Sequence, residues 1–200
     1  MLDSIMRYIL YLLLRLLFRI EIKNRHYIPE KGGVIIASNH TSYLDPPVLA
    51  ASLKRRPTFI AKASLYKIPI VGFIIRTYSI GVKRDKPGSS TIKKALKVLK
   101  SGGALVIFPE GGRSKEGKLM EFKRGVGLLA ALGHVPVIPA YIKGTHRALP
   151  VGAKLIRMEK IKVVFGRPII RRSGEDDLTY EDRVTKEIFD EIKRLSQTCS

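Results

Sequence analysis

His40 and Asp45 stand five residues apart in Asn39-His40-Thr41-Ser42-Tyr43-Leu44-Asp45, an imidazole base and a carboxylate that meet only where the chain turns. On a continuous helix, residues five apart point about 140° away from each other. Pro46-Pro47 follows at once and bars a helix from running through the pair. A turn or a helix entrance would bring the two together. The carboxylate would then hold one ring nitrogen and leave the other to take a proton. A capping Asp beside an ordinary loop His fits the heptapeptide equally well.

A second stretch, Phe108-Pro109-Glu110-Gly111-Gly112-Arg113-Ser114, suits an anion. Two glycines permit close backbone approach, so amides there could converge on a negative group. Arg113 offers a planar fork matched to phosphate, and Ser114 could cap or donate. On its own such a segment is also a common surface turn. Lys83-Arg84-Asp85-Lys86, after Ile80-Gly81-Val82, reads by itself as a solvated basic loop.

The elements that would position these groups follow from apolar periodicity. Val34–Ser38, Thr58–Ala61, Ala104–Phe108, Val135–Ile142 and Ile161–Phe165 read as strands. Ser89–Lys100, with Ile92, Ala95, Leu96 and Leu99 on one face and Ser101-Gly102-Gly103 as a stop, reads as a helix. Phe122–Leu132 and Tyr180–Leu195 read as two more. Strands alternating with helices predict a single α/β domain with a mostly parallel sheet. In such sheets ligands gather beyond the carboxyl ends of the strands. His40 and Pro109-Glu110 both lie just past predicted strands, so one rim would carry both sites.

Composition narrows the partners. The chain has 37 Lys and Arg against 17 Asp and Glu, a formal charge of +20 over 200 residues. The last 26 residues are acidic, with eight acids against four bases. The remainder therefore attracts an anionic partner: nucleic acid, an anionic membrane, or an acidic substrate or carrier. Cys199 is the single cysteine, so no intrachain disulfide or cysteine-based zinc site is possible.

Residues 5–20 are apolar except for Arg7, Arg15 and Arg19, which fall within an arc of about 120° on a helix. The uncharged run between Arg7 and Arg15 is seven residues, far short of the ~20 that cross a bilayer. Nor is there the apolar core and cleavage site of a signal peptide. Residues 1–20 are expected to form an amphipathic helix in the membrane interface, with residues 21–200 as the domain proper. The other possibility is a helix packed on the protein's own core.

Taken together, Asn39-His40-x4-Asp45, Arg84, Phe108-Pro109-Glu110-Gly111-x-Arg113-Ser114 and Val135-Pro136-Val137-Ile138-Pro139 resemble, in order and spacing, four blocks of the glycerolipid acyltransferase family typified by 1-acylglycerol-3-phosphate acyltransferase. Gly144-Thr145 and Phe165-Gly166-Arg167-Pro168-Ile169 are similar to its later landmarks, so the resemblance spans roughly residues 20–170. Two positions depart from it. Gly112 replaces a usual Thr, losing a hydroxyl but keeping the amide, and Tyr78 stands where the second block often opens with Gly.

The resemblance implies transfer of a fatty acyl group from a thioester of coenzyme A or acyl carrier protein to the sn-2 hydroxyl of lysophosphatidic acid. The product would be phosphatidic acid, made at the cytoplasmic face of the cell membrane without cofactor or metal. Another lysolipid or glycerol 3-phosphate is the alternative acceptor. His40 would be the general base and Asp45 its orienting partner, much as in a Ser-His-Asp triad. No Gly-x-Ser-x-Gly elbow occurs, so transfer would be direct, with Ser42 a loop hydrogen bonder rather than a nucleophile. The acceptor phosphate would meet Arg113 first and Arg84 second, helped by the amides of Gly111 and Gly112, with Lys62 extending the basic pocket. Glu110, which the family treats as essential, would orient an Arg or the loop or touch the glycerol hydroxyl. Asn39 and Ser114 would organise the loops.

Three other classes compete. A nucleic-acid binder would explain the charge, but no recognised binding motif and no aromatic residues among the basic clusters support it. A metal hydrolase would need His40, Asp45, Glu110 and His134 or His146, which lack helical His pairing or Cys ligands. A membrane-surface adaptor leaves the ordered blocks without a purpose.

Overall fold

The computed structural model of the chain describes residues 2–67, 78–82, 88–153 and 155–199. A seven-stranded sheet forms its centre, in the order β1-β7-β6-β2-β5-β3-β4. The strands are β1 (Glu21–Lys23), β2 (Val34–Ser38), β3 (Pro57–Lys62), β4 (Ser79–Val82), β5 (Ala104–Ile107), β6 (Val137–Lys143) and β7 (Lys162–Phe165). All pairings are parallel except β6 with β7. The mostly parallel α/β fold expected from the sequence is the one found.

Every residue of β2 and β5 is buried, because both faces of the central sheet are covered and a continuous apolar run replaces alternation. Alternate residues of β2 serve different cores. Val34 and Ile36 face α1 (Leu2–Phe18) and α2 (Asp45–Ser52). Ile35 and Ala37 face α3 (Ser89–Lys100), α4 (Gly125–Gly133) and α6 (Asp177–Thr198). A short helix, α5 (Thr145–Ala148), follows β6. The helix after β2 thus lies on one face and the helix after β5 on the other. Adjacent strands whose chains leave to opposite faces open a crevice beyond their carboxyl ends.

α1 divides its apolar residues between two environments. Leu14 and Phe18 are buried in the core, with Leu10 and Tyr11 packed beside them against the α2 side. Ile5, Tyr8, Ile9, Leu12, Leu13, Leu16 and Leu17 are exposed, spread over an arc of about 180° on the far side. The helix therefore packs on the core along one face and leaves the other exposed. It ends at Phe18, two residues short of the expected residue 20: Arg19 turns left-handed (φ 46°) and lies outside it. Among the described residues no helix is long and apolar enough to cross a membrane.

Candidate active site

The crevice is built by two loops. The first, after β2, enters α2 through Asp45, and Pro46 and Pro47 occupy the first turn, where missing N–H groups leave nothing unsatisfied. The prolines that bar a continuous helix therefore start one. Asp45 lies wholly buried, and its Oδ2 accepts the amides of Thr41 at 2.7 Å and Ser42 at 2.8 Å. The same oxygen lies 2.9 Å from His40 Nδ1. With Nδ1 held there, Nε2 is the ring nitrogen left for a substrate. The imidazole stacks on Phe108, ring centres 4.0 Å apart, which fixes its plane.

Both neighbouring strands clamp this loop. Asn39 is buried and pairs with Ile142 of β6 twice, Nδ2 donating to its carbonyl at 3.0 Å and Oδ1 accepting its amide at 2.8 Å. Such double pairing needs a donor and an acceptor on one planar group, which Asn supplies and Asp does not. Ser42 Oγ donates to the Leu149 carbonyl at 2.8 Å, the loop-bonding role expected of it. On the β5 side, Ser114 donates its amide to the His40 carbonyl at 2.9 Å, so its backbone, not its hydroxyl, makes the contact. Gly144 begins α5 at φ +96°, where a β-carbon would stand 2.2 Å from the Lys160 carbonyl oxygen.

Glu110 joins the two loops. Its Oε1 accepts the His40 amide at 2.9 Å and its Oε2 the Met120 amide at 3.3 Å. These two contacts tie the His40 loop to the segment before α4. Burial pushes its carboxyl up to about 7, against the pull of those two amides and with the nearby Asp45 charge adding to the rise. The folded state therefore holds this proton more tightly than the unfolded chain, whose ordinary value is 4.5. Its stabilising contribution is complete below about pH 4.5 and is lost as pH rises through about 7. The expected slope approaches about 1.4 kcal/mol per pH unit in that window. Urea midpoints measured from pH 4.5 to 7.5 should show a fall in wild type that is absent from Glu110→Gln. Parallel curves for the two proteins would refute it.

The anion-binding part differs in detail from the sequence reading. Gly111 has φ +70°, but its amide donates to the Phe108 carbonyl at 3.0 Å and is occupied by the turn. Gly112 has open space where a β-carbon would go, so a Thr would fit there, and its amide has no partner among the described residues. Arg113 lies over Tyr43, its guanidinium carbon 3.4 Å from the ring centre. Its Nη1 is buried without a partner. Lys62 closes β3, the strand beyond β5, and is exposed. Arg84 lies outside the described residues.

Two residues near this site escaped the sequence reading. Tyr43 sits inside the first motif, yet nothing in its spacing marked it as the platform for Arg113. Lys123 is twelve positions from Gly111, but a β-carbon on Gly111 would stand 2.6 Å from its Nζ. The Lys123 amide donates to the Pro109 carbonyl at 2.9 Å, which draws this residue out of the helix expected from Phe122 and delays α4 to Gly125. Among the described residues no group of three or more His, Cys, Asp or Glu is placed to hold a metal ion.

Residues 19–143 match the model of the Acyltransferase family, more than half the chain and all of the crevice. The chain belongs to that family. This acyltransferase-family chain is 32% identical over 157 residues to a chloroplastic 1-acyl-sn-glycerol-3-phosphate acyltransferase of Arabidopsis thaliana, covering 76% of this chain and 44% of that one. It is 30% identical over 152 residues to the 1-acyl-sn-glycerol-3-phosphate acyltransferase of Bacillus subtilis, covering 75% and 73%. The chain thus spans under half the length of the chloroplast relative. Its fold resembles the crystal structure of the 1-acyl-sn-glycerophosphate acyltransferase of Thermotoga maritima, with a TM-score of 0.70 and 30% identity over 87% of this chain and 72% of that one.

Proposed function

We propose that this acyltransferase acts in phospholipid biosynthesis, moving a fatty acyl group from a carrier-protein or coenzyme A thioester to the sn-2 hydroxyl of lysophosphatidic acid. The observation that carries this reading is the His40–Asp45 contact of 2.9 Å beside the Phe108–Ser114 loop. Nε2 of neutral His40 takes the hydroxyl proton as the oxygen attacks the thioester carbonyl. Asp45, which two further amides already pre-orient, stabilises the imidazolium. Collapse of the tetrahedral adduct breaks the C–S bond and expels a thiolate, to which the imidazolium returns the proton. Every step is direct, with no acyl-enzyme.

The acceptor phosphate is assigned to Arg113, helped by the Gly112 amide and Lys123, with Lys62 and Arg84 as further candidates. Tyr43 supports the Arg113 fork from beneath through a cation–π contact. Arg113→Ala should raise KM for lysophosphatidic acid about ten- to a hundredfold, the value of a charge-assisted contact of ~1.5–3 kcal/mol. The thioester KM should hardly move. Tyr43→Ala should reproduce part of the effect and Tyr43→Phe almost none. If the thioester KM rose instead, Arg113 would belong to the donor site.

The seven exposed apolar side chains of α1 favour a monotopic membrane enzyme, with that face in the lipid and residues 21–200 above it. The deciding experiment crosses lysophosphatidic acid, other lysophospholipids and glycerol 3-phosphate against both donors, using purified protein. Highest kcat/KM on lysophosphatidic acid is expected. A clear preference for another acceptor would replace that substrate while keeping the chemistry.

A further inference from the structure

We infer that the β4–α3 edge of the sheet is a docking surface for an acidic protein, the carrier that presents the acyl thioester; the inference rests on the acyl-transfer reading above. Residues 46–109 hold thirteen Lys and Arg against the single acid Asp85, so this third of the chain carries +12 of the total +20. Its described residues form α2, β3, β4, α3 and β5, with β3 and β4 the last two strands at that edge. Along α6, by contrast, several bases are paired within the fold. There Arg171, Arg172, Arg183 and Arg194 pair with acids on or beside α6. The β4–α3 edge has no such internal neutralisation on its helix.

α3 contains no acid, and Lys93, Lys94, Lys97 and Lys100 are all exposed. Among the described residues none of these four has an ion pair. Their spacing places them along one side of the helix over about 10 Å, at 1.5 Å per residue. Beside them runs a groove of about 650 Å³, floored by Tyr66, Ile80, Gly81 and Val98 and walled by Lys94 and Lys97. An apolar floor beside a row of ammonium groups fits a protein helix that carries Asp and Glu around an apolar centre. Opposite potentials of this kind accelerate and orient encounter more than they tighten it.

A bilayer is the other anionic surface this edge could meet, and the topology argues against it. α1, with its exposed apolar arc, packs on the sheet face served by Val34 and Ile36. α3 packs on the face served by Ile35 and Ala37. A membrane that accepts the apolar side of α1 therefore lies across the sheet from the α3 lysines, which are left facing water.

Steady-state transfer to lysophosphatidic acid, measured with palmitoyl-acyl carrier protein and with palmitoyl-coenzyme A, tests the assignment. The variant is Lys93→Gln, Lys94→Gln, Lys97→Gln and Lys100→Gln combined. Its kcat/KM with the carrier-bound donor should fall at least tenfold, while that with the coenzyme A donor stays within about twofold and serves as the check on folding. Wild-type turnover of the carrier-bound donor should also drop more steeply with salt than the coenzyme A reaction. Equal losses with both donors, or none with either, overturn the docking surface. So does a variant that leaves anionic vesicles without changing its donor ratio, since that would make the edge a membrane contact. Wild type that uses coenzyme A but not the carrier defeats this inference alone. Failure with both donors on every acceptor would defeat the acyl-transfer reading itself.

Discussion

His40→Ala should lower turnover by about 10²–10⁴-fold, the usual loss when a positioned general base is removed. The protein should stay folded, because the ring is partly exposed and Asp45, its one polar partner among the described residues, keeps two amide donors. Asp45 must be tested more carefully. Asp45→Ala would strand the Thr41 and Ser42 amides in a buried site, each costing about 1–3 kcal/mol, and would confound activity with stability. Asp45→Asn avoids this. Its oxygen can take the place of Oδ2, and its amino group the place of Oδ1, which has no hydrogen-bond partner. The negative charge facing the imidazolium disappears while the loop persists, so a large loss of kcat with an unchanged urea midpoint is expected. Near-wild-type turnover in either variant would remove the dyad from the chemistry.

The second large effect belongs to α1. Deleting residues 1–19 is a poor experiment, since it also strips Leu14 and Phe18 from the core. Leu12→Ser, Leu13→Ser and Leu16→Ser combined change only exposed residues. Burying a Leu in an apolar medium is worth ~1.5–3 kcal/mol, so even partial immersion of three predicts a drop in vesicle partitioning of about a hundredfold or more. Activity on long-chain lysolipid in vesicles should fall with it, while short soluble acceptors remain substrates. Flotation at low and high salt separates the apolar contribution, which resists salt, from the basic surface, which contributes about 1 kcal/mol per cation. Wild type that leaves the vesicles entirely at high salt would show that α1 does not enter lipid.

Much of this was legible in advance, for identifiable reasons. α3 spans Ser89–Lys100 as read, because a strong apolar stripe, a lysine face and a Gly-Gly stop all agree. β2 and β5 were visible as short apolar runs ending in polar or proline residues. β1 and β4 were not, being short edge strands whose pairing depends on distant β7 and β3. α2 was hidden by Asp45-Pro46-Pro47, which reads as a break but serves as a first turn. The reversed direction of β7 rests on contacts with β6 that leave no local trace. In the crevice, residue types marked His40, Asp45 and Arg113. Asn39 reaches Ile142 and Glu110 reaches His40 through hydrogen bonds 70 or more residues apart in sequence, and Ser114 makes its contact through a backbone amide. No spacing rule reveals those.

α1 packs on α2, and α2 begins with Asp45. Packed helices lie about 8–10 Å axis to axis. With α1 resting among headgroups, the reacting hydroxyl of a lipid needs to rise by only about one helix diameter, and its acyl tail can stay in the leaflet throughout. On the proposed function, a lipid substrate would then arrive by lateral diffusion in two dimensions, and product would leave the same way without crossing water. The quantity that governs rate becomes the mole fraction of lysolipid in the surface rather than its bulk concentration. One bound molecule would work through many lipids before letting go, so turnover should follow surface dilution with an inert lipid at constant bulk substrate.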